Sequence, residues 1–166
     1  MKNIAAGFHV GIVVLAAAGL LLAQKNPATA SGVWKLDVAK SKFDPGPGPK
    51  SATLTIDASG AGLKTTYDAT EANDSQVGYE YTATEDDGKD YPVSGPARTA
   101  LLGGADTVVV RRSGSNSLGI QFKKSGQVVA TNKTVVSKDG KTLTITSQGA
   151  DAKGQPISSV TVWVKQ

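Results

Sequence analysis

The chain reads as an all-β protein, an antiparallel up-and-down meander of about nine or ten strands that closes into a barrel, with a β-sandwich as the alternative. Three observations predict this. From residue 31 onward, short runs rich in Val, Ile, Thr and Tyr alternate apolar and polar side chains with a period of two. Gly, Asp, Ser and Asn turns separate these runs at hairpin spacing, and none of them carries a helical period. A meander this long must close on itself or fold into two sheets, because an open sheet leaves its edge strands unpaired.

The elements follow in order. Trp34, Leu36 and Val38 share one face of the first strand, with Lys35 and Asp37 on the other. Leu54 and Ile56 alternate with Thr53 and Thr55, and a turn at Ser59-Gly60 leads to Leu63, Thr65 and Tyr67. Val77, Tyr79, Tyr81 and Ala83 form the next face. Val108 and Val110 follow, then Leu118, Ile120 and Phe122, then residues 128–136 and 143–146. The last strand covers 157–164, where Trp163 falls on the opposite parity to Val162 and Val164. Ser125-Gly126, Asp139-Gly140 and Lys153-Gly154 place glycine where tight turns need positive φ.

Two segments break the pattern. Asp44-Pro45-Gly46-Pro47-Gly48-Pro49 can sustain neither a helix nor a central strand, because proline has no N–H to give to a ladder, so it should be an extended surface loop. Residues 94–106 form the longest stretch without strand character and should hold one turn of helix or a flap over a barrel mouth.

The N-terminus predicts export. Lys2 precedes an apolar stretch from Ile4 to Ala23, and small residues offer cleavage after Ala30, in Ala28-Thr29-Ala30, or after Ala23. The expected organisation is a signal peptide over 1–30 and a single domain over 31–166, periplasmic or extracellular, with no stable membrane span after cleavage. A domain of that size buries a core without staples, and with no Cys in the chain disulfides are excluded. The formal charge of +4 falls when Lys2 and Lys25 leave with the signal, and the remaining charges are mixed along the chain. That is a solvated surface and not the footprint of a nucleic-acid binder. A monomer is expected.

Chemistry is bounded by subtraction. The one histidine, His9, and the one methionine, Met1, lie in the expected signal peptide. A Ser-His-Asp triad, a cysteine nucleophile and thiolate or histidine metal sites are therefore ruled out of the exported chain. No catalytic residue, metal or cofactor is assigned. Glu85-Asp86-Asp87-Gly88-Lys89-Asp90 departs from the EF-hand template and suits a turn better than a calcium loop. Asp37, Glu80 and Asp106 lie in or beside strands where outward polar residues belong, which leaves a carboxylate-based hydrolase as a third reading. Arg111-Arg112 ends a valine-rich strand, so alternation sends one guanidinium toward each face, and one of them could grip an anionic head group. The candidate ligand-binding residues are Tyr79, Tyr81, Val110, Arg111, Arg112, Leu118, Ile120 and Phe122.

Gly32-Val33-Trp34-Lys35-Leu36 resembles the G-x-W opening strand of the lipocalin and fatty-acid-binding-protein (calycin) group, which places Trp34 at the closed base of a lipocalin-like barrel. Val162-Trp163-Val164-Lys165-Gln166 is similar to the last strand of fatty-acid-binding proteins, but Thr161 and Trp163 stand where that family has the arginine and tyrosine of its carboxylate-binding motif. The prolyl loop from Asp44 to Lys50 leaves no room for that family's two-helix cap, and the lipocalin T-D-Y motif and C-terminal helix are absent. The block GVWKLDVAKSKFDPGPGPK, with DGKDYPV and VVSKDGKTLTIT, resembles a group of small secreted bacterial proteins, a likeness that implies a shared fold and no mechanism. The expectation is an exported, non-catalytic protein that binds a small apolar or amphipathic ligand inside a barrel. The alternative is an envelope structural or interaction module with a filled core.

Overall fold

The computed structural model describes residues 30–58, 62–97, 101–151 and 153–166. The expected signal peptide up to residue 29 and the expected Ser59-Gly60 turn lie outside the described residues. Ten strands follow in chain order: β1 (Gly32–Asp44), β2 (Ser51–Asp57), β3 (Leu63–Thr70), β4 (Gln76–Ala83), β5 (Tyr91–Ser94), β6 (Thr107–Gly114), β7 (Ser117–Lys124), β8 (Gln127–Val136), β9 (Thr142–Ala150) and β10 (Pro156–Lys165). Each pairs antiparallel with its sequence neighbour, and β1 pairs with β10, so the sheet closes. The fold is therefore the closed barrel and not the sandwich, and closure leaves no edge strand to template aggregation.

The period of two sets the interior. Trp34 and Leu36 from β1, Leu54 and Ile56 from β2, and Leu63 and Tyr67 from β3 are buried together. Tyr81 from β4, Val108 and Val110 from β6, and Leu118, Ile120 and Phe122 from β7 continue the same core. Leu143, Ile145 and Trp163 complete the ring, so Trp163 faces inward while Val160 and Val164 face out. Burying large aromatic and aliphatic side chains at roughly 25 cal/mol per Å² is what holds a chain without disulfides. Trp34 is fully buried at the base, and its indole Nε1 donates to the Ala30 carbonyl at 2.7 Å. Across the base, the Lys165 ammonium stands 5.2 Å from the Trp34 ring centroid.

Two departures from simple alternation matter. Val38 was expected to share the inward face of Trp34 and Leu36, and it is exposed instead. The cause is an irregularity between Asp37 and Lys42, where the β1–β10 register shifts. Ser41 Oγ donates to the Asp37 carbonyl at 2.7 Å and accepts from Val162 N at 3.0 Å, which secures the displaced backbone to β10. The second departure is β5, a four-residue strand not foreseen because Pro92 interrupts it. It joins β4 through Glu80–Ser94 and Tyr81–Val93, and β6 through Tyr91–Val108 and Pro92–Thr107.

The two expected irregular segments meet at one end of the barrel. Asp44 ends β1 where Thr70 ends β3 and Ala150 ends β9, and this end is the mouth. The loop of residues 44–49 folds back over Phe43, and a Cβ at Gly48 would lie only 2.3 Å from the Phe43 ring. From the other segment, Ala97 and Leu101 have helical backbone on either side of residues 98–100, which lie outside the described residues. Gly95, at φ 99°, brings this segment against β4, where a Cβ would meet the Gly78 carbonyl at 2.4 Å.

Candidate functional site: a cavity at the barrel mouth

The interior is not filled along its whole length. A cavity of about 320 Å³ opens between the mouth loops and the middle of the barrel. Its walls come from alternating inward positions of distant strands: Leu36, Leu54, Tyr67, Tyr79, Ile145 and Trp163. Ala130, Asn132, Ser147 and Thr161 complete the wall, so small or polar side chains on β8, β9 and β10 leave the space that larger ones would fill. Phe43, Pro45 and Pro47 from the prolyl loop, with Leu101 and Leu102 from the second loop, form an apolar lip. Volumes of this order suit small-molecule sites lined by apolar and aromatic groups with a few polar ones.

One side of the interior is a continuous run of aromatic rings. Tyr67 and Tyr79 stack at 5.0 Å and 14°, and Tyr79 and Tyr81 lie nearly parallel at 6.4 Å. Trp163 meets Tyr67 edge-on at 6.2 Å, and Phe122 meets Tyr79 and Tyr81 edge-on at 6.2 and 6.1 Å. Trp163, Tyr67 and Tyr79 face the cavity, while Tyr81 and Phe122 lie behind them in the core. Trp163 Nε1 donates to Thr161 Oγ1 at 2.9 Å, which holds the indole against the wall.

The tyrosines differ from exposed phenols. Burial is the main cause that raises all three pKa values: Tyr81 is pushed up to about 12, with the Thr65 hydroxyl acting the other way. Tyr67 is raised further, by burial and then by the Glu71 carboxylate, and Tyr79 is raised well above 10 by burial and its two tyrosine neighbours. The Tyr67 and Tyr79 hydroxyls make no hydrogen bond among the described residues.

The charged residues that line the cavity are all acidic. Asp44, Glu71 and Asp151 contribute to the lining, and no Lys or Arg does among the described residues. None of the three takes part in an ion pair among the described residues; the six ion pairs there lie elsewhere. Asp151 accepts from Lys153 N and Gln155 N, which fixes the β9–β10 turn, and Asp44 and Glu71 have no side-chain hydrogen bond there.

Of the eight candidate residues, Tyr79 lines this cavity. Tyr81, Val110, Leu118, Ile120 and Phe122 are buried in the core outside its lining. Arg111 and Arg112 end β6 on the side away from the mouth, and both are exposed. Arg112 has the inward parity of Val108 and Val110, but it is drawn to the base by Glu85, which pairs with its guanidinium, and by Asp86, whose Oδ1 accepts from Arg112 N at 2.7 Å. Arg111 reaches over the turn at Gly88. Neither guanidinium is brought to the cavity. The residues the sequence reading missed, Tyr67, Trp163, Thr161, Ile145 and Leu54, carry the same alternation signal as those named, and only closure of the barrel sorts wall from core.

The acidic segment between β4 and β5 is a turn with its carboxylates engaged. Glu85 pairs with Arg112, Asp87 accepts from Lys89 N at 3.0 Å and from the Tyr91 hydroxyl, and Asp90 pairs with Lys123 at 2.7 Å. The carboxylates weighed for hydrolysis are likewise held locally: Asp37 by Lys40, Glu80 by Lys64, and Asp106 by Ser125 N.

The chain matches no protein-family model and no curated protein sequence. Among solved structures it is similar to zebrafish ileal bile acid-binding protein complexed with cholic acid, at 16% identity and a TM-score of 0.44, over 82% of this chain and 98% of that one.

Proposed function

We propose that this protein is an exported, non-catalytic binder of a small amphipathic ligand, which it holds in the mouth half of the barrel. The observation that carries the reading is the cavity of about 320 Å³, walled by Leu54, Tyr67, Tyr79 and Trp163, with an apolar lip and three carboxylates in its lining. Void of this size in a folded core forfeits dispersion contacts, so an apolar occupant recovers them. At ~30 Å³ per water the space holds about ten waters, which suits a ligand of roughly ten to twenty non-hydrogen atoms. Export is supported by the N-terminal pattern of Lys2 and the apolar run to Ala23. The non-catalytic reading is supported by the lack of Cys and of any His beyond His9.

A second reading has one observation in its favour. Val33, Val160 and Val164 are exposed on the outer face of β1 and β10, a surface on which an envelope module could act without using the cavity.

The test is titration of the purified protein with the neutral fluorophore N-phenyl-1-naphthylamine, together with native mass spectrometry of protein from its own host. The binding reading expects saturable fluorescence enhancement, its loss in Ser147→Phe, which fills the wall, and a small-molecule adduct in the native spectrum. No saturable signal and no adduct would overturn it and leave the outer-face reading.

A further inference from the structure

We infer that the ligand taken by this cavity is a cationic amphiphile, with an alkyl or aryl body against Tyr67, Tyr79 and Trp163 and an ammonium-type head at the mouth beside Asp44, Glu71 and Asp151. This rests on the binding reading above and adds the charge of the ligand.

Four independent observations converge. First, the charges on the cavity lining are of one sign, three carboxylates and no amine or guanidinium among the described residues. Second, two basic groups near the mouth lie outside the lining: Lys50 is engaged by Asp74 at 2.6 Å, and the Lys124 side chain lies beside Gly104. Third, three aromatic side chains, Tyr67, Tyr79 and Trp163, line the same cavity, and aromatic rings attract a cation. Fourth, Tyr67 lines the cavity at 8% exposure, and its hydroxyl has no hydrogen-bond partner among the described residues and lies within the field of the Glu71 carboxylate.

The opposite ligand charge meets a penalty at each of these points. A fatty anion would bring its carboxylate beside Asp44 and Glu71 with no cation to offset it, and loss of water at the mouth strengthens that repulsion. Arg111 and Arg112 are at the far end of β6 and do not offset it. A quaternary or primary ammonium has the reverse balance. It gains from unpaired carboxylates and from ring faces, and its chain reaches the wall formed by Leu36, Leu54 and Ile145.

The test compares three probes with the same ten-carbon tail, decyltrimethylammonium, decanol and decanoate, each by calorimetry and by displacement of N-phenyl-1-naphthylamine from the processed protein. The expected order is decyltrimethylammonium, then decanol, then decanoate, with the cation bound about tenfold or more tighter than the anion. Raising salt from about 20 to about 200 mM narrows that ratio. Glu71→Gln and Asp44→Asn each lower the ratio of cation to decanol affinity about threefold. Decanoate binding as tightly as the cation, or tighter, would overturn the charge assignment while the cavity remains a binding site. Failure of all three probes would overturn the cavity reading itself.

Discussion

Tyr67 and Tyr79 face each other across the β3–β4 pair, their ring centroids 5.0 Å apart and their planes 14° from parallel. The pair stands between the packed half of the barrel and its open half. Behind it, Tyr81 and Phe122 fill the core; in front of it lies the cavity. Their hydroxyls have no hydrogen-bond partner among the described residues, so structure and binding depend on different parts of the same side chains.

That division predicts opposite outcomes for two substitutions. Tyr67→Ala removes a buried ring and its contacts with Tyr79 and Trp163, and should cost about 3 kcal/mol of stability with loss of N-phenyl-1-naphthylamine binding. Tyr67→Phe keeps the rings and should change stability by less than about 0.5 kcal/mol, because no hydrogen bond is broken. Urea denaturation of both variants checks this. Equal destabilisation by the two would show that the hydroxyl has a structural partner.

The three buried tyrosines set the alkaline limit of the fold. An unfolded tyrosine ionises near 10, whereas Tyr81 is raised to about 12, Tyr67 is raised further and Tyr79 is raised well above 10. Above pH 10 the unfolded chain therefore binds fewer protons than the folded one. The stability held by these groups is complete below pH 10 and is lost as pH rises through 12, at about 1.4 kcal/mol per pH unit for each tyrosine. Tyrosinate absorbance should appear for them only together with collapse of the near-ultraviolet circular dichroism. Ionisation of all the tyrosines near pH 10 with that dichroism intact is the contrary result.

Gly48 predicts a change at the mouth without a change at the base. A Cβ there would lie 2.3 Å from the Phe43 ring, so Gly48→Ala must lift the prolyl loop or displace the ring. The expected cost is about 1–2 kcal/mol, with faster release of bound N-phenyl-1-naphthylamine and unchanged Trp34 surroundings. Denaturation and stopped-flow dissociation measure both; an unaltered release rate would show that the loop does not close over the cavity.

Trp34 bears on processing. Its indole donates to the Ala30 carbonyl at 2.7 Å, and Ala30 packs against the core. Cleavage after Ala23 retains this bond, and cleavage after Ala30 removes it from a fully buried tryptophan, at about 1–3 kcal/mol for the orphaned donor. Under the proposed export, the mature chain is therefore expected to begin at Gln24. Intact mass of the secreted protein decides the matter, and a chain beginning at Ser31 refutes the expectation.

How much was legible beforehand follows from the range of each interaction. Alternation within a strand is local chemistry, so the inward faces of Leu54 and Ile56, Leu63 to Tyr67, Tyr79 and Tyr81, and Leu118 to Phe122 could be read directly from period-two hydrophobicity. Val38 could not, because its outward turn depends on Ser41 bonding to Val162, a partner far along the chain. β5 could not, because Pro92 suppresses the signal and its pairing with β4 and β6 supplies the strand.

The sequence by itself determined an all-β meander, the positions of most of its turns, the side chains available for a core and the chemistry excluded by lack of Cys. Tertiary structure alone decided that the barrel closes through β1 and β10, that its void lies toward the mouth, and that Asp44, Glu71 and Asp151 stand around that void while Arg111 and Arg112 are left at the other end. The physical reason is that a strand's periodicity fixes which face a side chain takes but not its height in the barrel. That height comes from the register between strands, and register is set by packing among residues distant in sequence.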